Sequence, residues 1–261
     1  MTNPRVVVNG VIDKAATKAL RNREPLTNEE IDLMLNEADA IEHEYFRLRV
    51  KALIGLVKKF GKRRSEIASL ERENLKIKNE KLLVTFTLRK KHKKGLFQYL
   101  KWLEKNNPLE MEKPLAQLKH DWKVWNETQE GYRVKEEKRT KSVDVNDKYA
   151  KLIVGYLEFL ERTYPEAKYV FPSGAEVFGE SYIIFPDEHL SGRQLLRLIK
   201  PLNENAWLHL FRETKGAEIA REKGRTLDAV YSVRETLDLE NETTAYRYVR
   251  RYAVQEMKSE R

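Results

Sequence analysis

His209 and Arg212 stand three residues apart, a spacing that puts both on one face of a helix. Farther along, Thr243-Thr244-Ala245-Tyr246-Arg247-Tyr248 brings tyrosines into a second helical stretch near the C-terminus. Arginine, histidine and tyrosine together are parts for attacking a DNA phosphate with a phenol and no metal. Such chemistry has three needs. A nucleophile must reach phosphorus, the developing charge must be neutralised, and the leaving 5′ oxygen must take a proton. Guanidinium groups suit the second task, because their planar fork binds phosphate oxygens in pairs. A free phenol ionises only near pH ~10, so it needs cations or a base beside it.

Composition is compatible with that chemistry. The chain has 261 residues and a net charge of +9, which favours a polyanionic partner. The basic residues cluster in two runs, Arg89-Lys90-Lys91-His92-Lys93-Lys94 and Lys138-Arg139-Thr140-Lys141. With no cysteine, disulfides and Cys-based zinc sites are excluded. The five histidines form no His-x-x-x-His pair, so neither a metal nor a cofactor is expected. No apolar stretch approaches the roughly 20 residues of a membrane span. Met1-Thr2-Asn3-Pro4-Arg5 lacks a signal-peptide core. The expectation is a cytoplasmic, nucleoid-associated protein, and its 35% charged residues, rich in Lys and Glu, hint at a thermophilic source.

Several elements must position these groups. Leu26-Thr27-Asn28-Glu29-Glu30-Ile31 reads as a helix start, with a capping box from Thr27 to Glu30 and a staple from Leu26 to Ile31. A second helix runs from about Glu44 to Phe60 and stops at Gly61, and a third spans Arg64 to Leu70. Leu82 to Leu88 alternates as a strand, with its partner expected at Arg139 to Val145. Between them, 96–104 and 115–125 look helical. Lys148 to Thr163 is amphipathic, 165–186 reads as loop, and Ser191 caps a helix through Ile199. Helices near 206–223, 226–237 and 243–257 complete the chain. The predicted class is mainly α with a small antiparallel β-sheet (α+β).

With these residues in place, the chain resembles the tyrosine recombinase (phage integrase) catalytic domain over roughly residues 25 to 258. The first family motif is Thr-Gly-Leu-Arg-x-Ser-Glu-x-x-x-Leu, and here Phe60-Gly61-Lys62-Arg63-Arg64-Ser65-Glu66 leads on to Leu70. The second is His-x-x-Arg-His-Thr, here His209-Leu210-Phe211-Arg212-Glu213-Thr214. A later family glycine matches Gly224. The third motif departs, because Leu237-Asp238-Leu239 stands where the family has Leu-Gly-His. An ungapped reading from Leu237 puts the nucleophile at Tyr248, and a two-residue deletion puts it at Tyr246.

The resemblance implies a division of labour. Arg63 and Arg212 clamp the scissile phosphate, His209 assists proton transfer, and Tyr248 forms a 3′-phosphotyrosyl link. A lysine of the β-hairpin, counted to Lys90, protonates the leaving oxygen, with Lys91 next to it and Lys141 on the return strand as a weaker candidate. Arg64, Lys91, Lys93, Lys94, Arg139 and Lys141 are the expected DNA contacts. The domain reading is an N-terminal extension or remnant linker over 1–24 and a catalytic domain over 25–261 with a helical insertion at about 95–130. With so little ahead of that domain, the chain reads as a fragment or a minimal form with a weaker DNA grip than a two-domain clamp.

Each signal also has a plainer reading. A lone histidine between leucines is commonly a satisfied core or surface group. A lysine run is commonly a solvated turn, and Tyr246, Tyr248 and Tyr252 at near-helical spacing are commonly packing aromatics. Trp102, Trp122 and Trp125 favour packing of a small helical unit over stacking on bases. The leading functional expectation is a site-specific recombinase or integrase acting on double-stranded DNA as a tetramer on two sites. A mobile-element source fits that reading, and the Lys/Glu-rich composition with the diverged third motif resembles archaeal integrases. A non-catalytic DNA-binding regulator is the alternative from another class. DNA relaxation of the type IB topoisomerase kind ranks third, because its Ser-Lys-x-x-Tyr ending is absent.

Overall fold

The computed structural model describes residues 24–128, 132–177 and 181–253, and ahead of them a pair of two-residue strands, Val7–Val8 (β1) and Val11–Ile12 (β2). Side chains at 90–93, 132–135, 176, 177 and 181 lie outside the described set. By contact the chain divides into two compact units, one formed by Met1–Val84 with Lys141–Arg261 and one by Thr85–Thr140. The fold is mostly helical with small antiparallel sheets, as the hydrophobic periodicity predicts.

The first helix of the first unit is α1, Asn28–Asp39. The predicted capping box is present, since Thr27 N donates to Glu30 Oε2 at 2.7 Å and Glu30 N to Thr27 Oγ1 at 3.2 Å. Helix α2, Glu44–Phe60, is buried along most of its length and ends at Gly61 in the left-handed region (φ 56°). That conformation suits glycine, and it turns the chain at once into the short helix α3, Arg64–Ala68. Helix α6, Lys148–Thr163, is N-capped by Asp147, which accepts from Tyr149 N at 2.9 Å. Helix α7, Gly192–Ile199, carries the expected Ser191 cap, closed as a box by Gln194.

Three helices close the unit: α8, Leu208–Lys223; α9, Leu227–Thr236; and α10, Glu242–Tyr252. Their shared core is built from Ala217, Ala220, Val230, Val233, Leu237, Ala245 and Val249. Small residues on the facing sides let the helices approach closely. Helices α8 and α9 are shorter than their sequence-based ranges, because flanking residues serve as caps: Trp207, Thr226 and Leu237. Helix α10 begins one residue ahead of its expected start, after the N-cap Asn241, and the expected stretch from 254 to 257 lies outside the described residues.

Two departures from the sequence reading concern strands. The sheet has three strands in the order β3 (Leu75–Lys78), β4 (Lys81–Lys93) and β5 (Tyr132–Asp144). Strand β3 was not anticipated. It is an edge strand with Lys76, Ile77 and Lys78 exposed, so it lacks an alternating signature. Its hairpin turns on Asn79-Glu80, both at positive φ (51° and 57°), without the glycine that marks such turns. The second departure is the segment read as loop over 165–186, which contains an antiparallel hairpin of β6 (Pro172–Val177) and β7 (Ser181–His189). Gly174 and Pro186 inside these strands mask their pattern.

The second unit holds the outer parts of β4 and β5, together with α4 (Leu96–Asn106) and α5 (Leu115–Trp125). It has a core of its own in Tyr99, Leu103, Leu118 and Trp125. Trp102 and Tyr99 stack at 6.2 Å, and Trp122 Nε1 donates to the Lys94 carbonyl at 2.9 Å. The tryptophans therefore pack the unit. Unit two carries 14 lysines and arginines against 8 acidic residues, +6 of the chain's +9.

Candidate active site

The site forms where the α2–α3 turn, the start of α8 and the end of α9 meet. Lys62, Arg63, Arg64, Ser65, Leu196, Trp207, Leu208, His209 and Arg212 line a cavity of about 340 Å³. Arg63 caps α3 and is half-exposed. It is aimed by Glu66, whose carboxylate accepts from Arg63 Nη1 at 2.7 Å and from Arg63 N at 2.9 Å. Glu66 itself is buried, and of its two bonds the one to Nη1 holds the guanidinium while the other caps the backbone of α3.

Arg212 is buried, and it donates from Nη1 to the Gly61 carbonyl at 2.8 Å and from Nη2 to the Leu237 carbonyl. Burial pushes its pKa down, and the nearby Arg63 adds to that shift, opposed by Glu66, Tyr248 and Asp238. His209 is largely exposed at the cavity rim, with Nε2 3.5 Å from Glu213 Oε1 one helical turn on. Thr214, the last residue of the second motif, has a packing role: its Oγ1 accepts from Leu26 N and donates to the Leu210 carbonyl, both at 2.9 Å.

The two candidate tyrosines fall on different faces of α10. Tyr248 lies against α8 at Gly216, where a Cβ would sit 2.5 Å from its ring Cδ1. The pKa of its phenol is raised, first by burial and then by Glu213, and Arg212, Arg251 and Arg63 oppose the rise only in part. Tyr248 is thus within the electrostatic field of both arginines. Tyr246 is exposed and lines a separate groove of about 410 Å³ with Arg225, Leu227 and Arg250. Arg63, His209 and Arg212 share one cavity, which Tyr248 does not line; Tyr248 is linked to it by the electrostatic influence of Arg212 and Arg63, and Tyr246 belongs to the separate groove.

The lysines divide by unit. Lys141, in the first unit, donates to the Glu235 carbonyl at 2.8 Å and lies 3.8 Å from Asp238 Oδ1. The side chains of Lys90, Lys91 and Lys93 lie outside the described residues. In the second unit, Lys94 Nζ sits 5.5 Å from the Trp125 ring centroid, and Arg139 Nε donates to Glu137 Oε1 at 2.7 Å. Arg64 lines the cavity with its stem against Gly192. Among the described residues, no cluster of three His, Asp or Glu side chains could hold a metal, and no helix is long and apolar enough to cross a membrane.

Sequence reasoning missed the roles of Lys62, Asp238, Gly216 and Glu66. Lys62 and Asp238 are both buried and form an ion pair, and Lys62 Nζ also reaches the Thr236 carbonyl at 3.4 Å. Asp238 adopts positive φ (47°), a conformation that Asp tolerates better than most residues and that the glycine of Leu-Gly-His would take freely. The signal was present in the sequence, because these two positions depart from the first and third motifs with opposite charges.

No protein-family model and no curated protein sequence matches this chain. Solved structures do. The site-specific recombinase XerH bound to its difH substrate in a pre-cleavage complex aligns at 15% identity and TM-score 0.52, over 91% of this chain and 53% of that one. XerH in a post-cleavage complex on palindromic difH aligns at 14% identity and TM-score 0.55, over 95% and 55%. XerA recombinase aligns at 13% identity and TM-score 0.52, over 91% and 63%. The chain thus spans less than two thirds of the length of these neighbours, and at such identity the likeness is one of fold. The chain has the fold of the tyrosine-recombinase catalytic domain.

Proposed function

We propose that this chain is a site-specific DNA strand transferase of the recombinase or integrase kind, working through a 3′-phosphotyrosyl intermediate. The observation that carries the reading is the convergence of Arg63, His209 and Arg212 on one cavity, with Tyr248 in the field of both arginines. Arg63 and Arg212 would hold the non-bridging oxygens of the scissile phosphate and stabilise its pentavalent transition state. The Tyr248 oxygen attacks phosphorus as the bond to the 5′ oxygen breaks. The phenolic proton leaves with help from His209, and a hairpin lysine gives a proton to the departing 5′ oxygen. Lys90 is that lysine in our reading, with Lys91 and Lys141 as the other candidates. The phosphotyrosyl bond conserves the energy of the broken phosphodiester, so a 5′ hydroxyl reseals it without ATP. Attack by a partner strand's hydroxyl gives recombination.

Double-stranded DNA is the partner, and we infer a tetramer on two DNA sites in the active complex. The tail from Arg250 to Arg261 would dock on a neighbouring protomer; residues 254–261 lie outside the described residues. We read the chain as a catalytic domain over 25–261, interrupted by the insertion. A non-catalytic DNA-binding regulator is the second reading. It draws support from Leu239, which occupies the place of the third-motif histidine, and from the burial that disfavours an ionised Tyr248.

The test is covalent trapping on supercoiled plasmid carrying random inserts. After denaturation, protein joined to DNA 3′ ends is compared for wild type, Tyr248→Phe and Tyr246→Phe. An adduct lost only in Tyr248→Phe supports the proposal. Loss only in Tyr246→Phe moves the nucleophile. Salt-sensitive binding without an adduct from any form favours the regulator.

A further inference from the structure

The last three carbonyls at the C-terminal end of α9 each accept from a different cation. Glu235 O takes Lys141 at 2.8 Å, Thr236 O takes Lys62 at 3.4 Å, and Leu237 O takes Arg212. A helix C-terminus carries partial negative charge on its last carbonyls, so cations are favoured there even where, as at Glu235 O, a backbone N–H also donates. Three of them would nevertheless repel one another. The Asp238 carboxylate lies among them, paired with Lys62 through Oδ2 and 3.8 Å from Lys141 through Oδ1.

The chain order around Arg212 gives this arrangement a purpose. Its guanidinium spans two turns, with one bond to Gly61 O and one to Leu237 O. The residues that immediately follow those carbonyls are Lys62 and Asp238. The ion pair therefore ties together the same two turns that the guanidinium bridges, one residue farther along each. In the motifs that the chain resembles, these positions are leucine and glycine, which carry no charge to make such a link.

We propose that the buried Lys62–Asp238 pair is a positioning device for Arg212: it holds the α2–α3 turn and the end of α9 at the separation that aims the guanidinium into the cavity. The inference rests on the proposed strand transfer for its purpose, but its geometry can be tested apart from it. Lys62 also borders the cavity, but its ammonium is committed to Asp238 and the Thr236 carbonyl, so the pair acts through Arg212 and its members are positioning residues.

The experiment uses the full chain with 15N-labelled arginine and the neutral pair Lys62→Met/Asp238→Asn. That double variant removes both members of the pair and leaves the net charge of the site unchanged, Arg212 and Lys141 keep their carbonyl partners, and asparagine accepts the positive φ of position 238. Two properties are read: exchange of the Arg212 guanidinium protons by NMR, and adduct formation on supercoiled plasmid at saturating DNA. The expected result is a folded protein with DNA affinity within about twofold of wild type, guanidinium exchange at least tenfold faster, and adduct formation at least tenfold slower. A pair that only stabilised the fold would leave both readouts at wild-type values in the folded double variant, and that result overturns the proposal. A second neutral pair, Lys62→Leu/Asp238→Gly, which carries the uncharged residues of the motifs and also accepts the positive φ of position 238, provides the same readouts should the first double variant fold poorly. If wild type forms no adduct, the strand-transfer reading fails, while the guanidinium spectrum still decides whether the pair holds Arg212.

Discussion

Gly216→Ala tests the placement of Tyr248 most directly. A Cβ at position 216 would lie 2.5 Å from Tyr248 Cδ1, 2.7 Å from Cε1 and 3.2 Å from Leu237 Cδ1. Carbon atoms pack best at roughly 3.5–4.0 Å, so the ring must retreat by about 1 Å. Overpacking of this kind costs about 1–3 kcal/mol, while alanine in a helix interior gains about 1 kcal/mol over glycine. The net loss of stability is therefore small, about 0–2 kcal/mol by those two figures. A nucleophile displaced by 1 Å loses far more, on the order of 100-fold in rate, or about 2.7 kcal/mol of barrier. Urea denaturation and single-turnover adduct formation measure the two effects separately. Gly155→Ala in α6 is the control, since a Cβ there meets nothing within 4 Å. It should stabilise the fold by up to about 1 kcal/mol and leave adduct formation unchanged. Wild-type stability together with a wild-type adduct rate in Gly216→Ala would refute the packing of Tyr248 against α8 as a determinant of its position.

Two further outcomes follow from buried polar groups. Arg212→Lys cannot reach both the Gly61 and Leu237 carbonyls with one ammonium, so a buried acceptor is stranded at about 1–3 kcal/mol in urea denaturation. Its adduct formation should fall roughly 10²–10³-fold, the usual effect of removing one transition-state donor; retention of wild-type rates would contradict the clamping role. Alkaline pH should unfold the protein for a definite reason. Burial pushes Tyr149 and Tyr252 up to about 12 and Tyr156 well above the ordinary value, whereas unfolded phenols ionise near ~10. The unfolded state thus loses protons first, so this contribution to stability is intact below pH ~10 and is lost as pH rises toward about 12. Phenolate absorbance at 295 nm should show these three tyrosines silent near pH 11 until urea exposes them. Simultaneous ionisation of all 12 tyrosines near pH ~10 in folded protein would count against their burial.

The chain announces its local structure because local structure depends on near neighbours. The Thr27–Glu30 box, the stop at Gly61 and the Ser191 cap each involve residues within a few positions of one another, so they were legible without a fold. The order of Arg63, His209, Arg212 and the terminal tyrosines was legible too, and with it the fold class. The β6–β7 hairpin and strand β3 were not. Strand pairing is a relation between segments, and here a non-glycine turn at Asn79-Glu80 and the residues Gly174 and Pro186 hid the pattern.

The choice between tyrosines was likewise beyond one-dimensional reasoning. Tyr246 and Tyr248 differ by two residues, about 200° around a helix, and only the packing of α10 shows that Tyr248 lies against α8 at Gly216 while Tyr246 is exposed. Lys62 and Asp238 make the same point over a greater span. As letters they are two substitutions, 176 residues apart, in two separate motifs. Folding brings them together in a buried place, where neither charge is tolerable without the other. The sequence by itself determined which groups were available and which helices carry them. The tertiary structure alone decided which of those groups meet, because a buried charge acquires its partner only when distant turns close on each other.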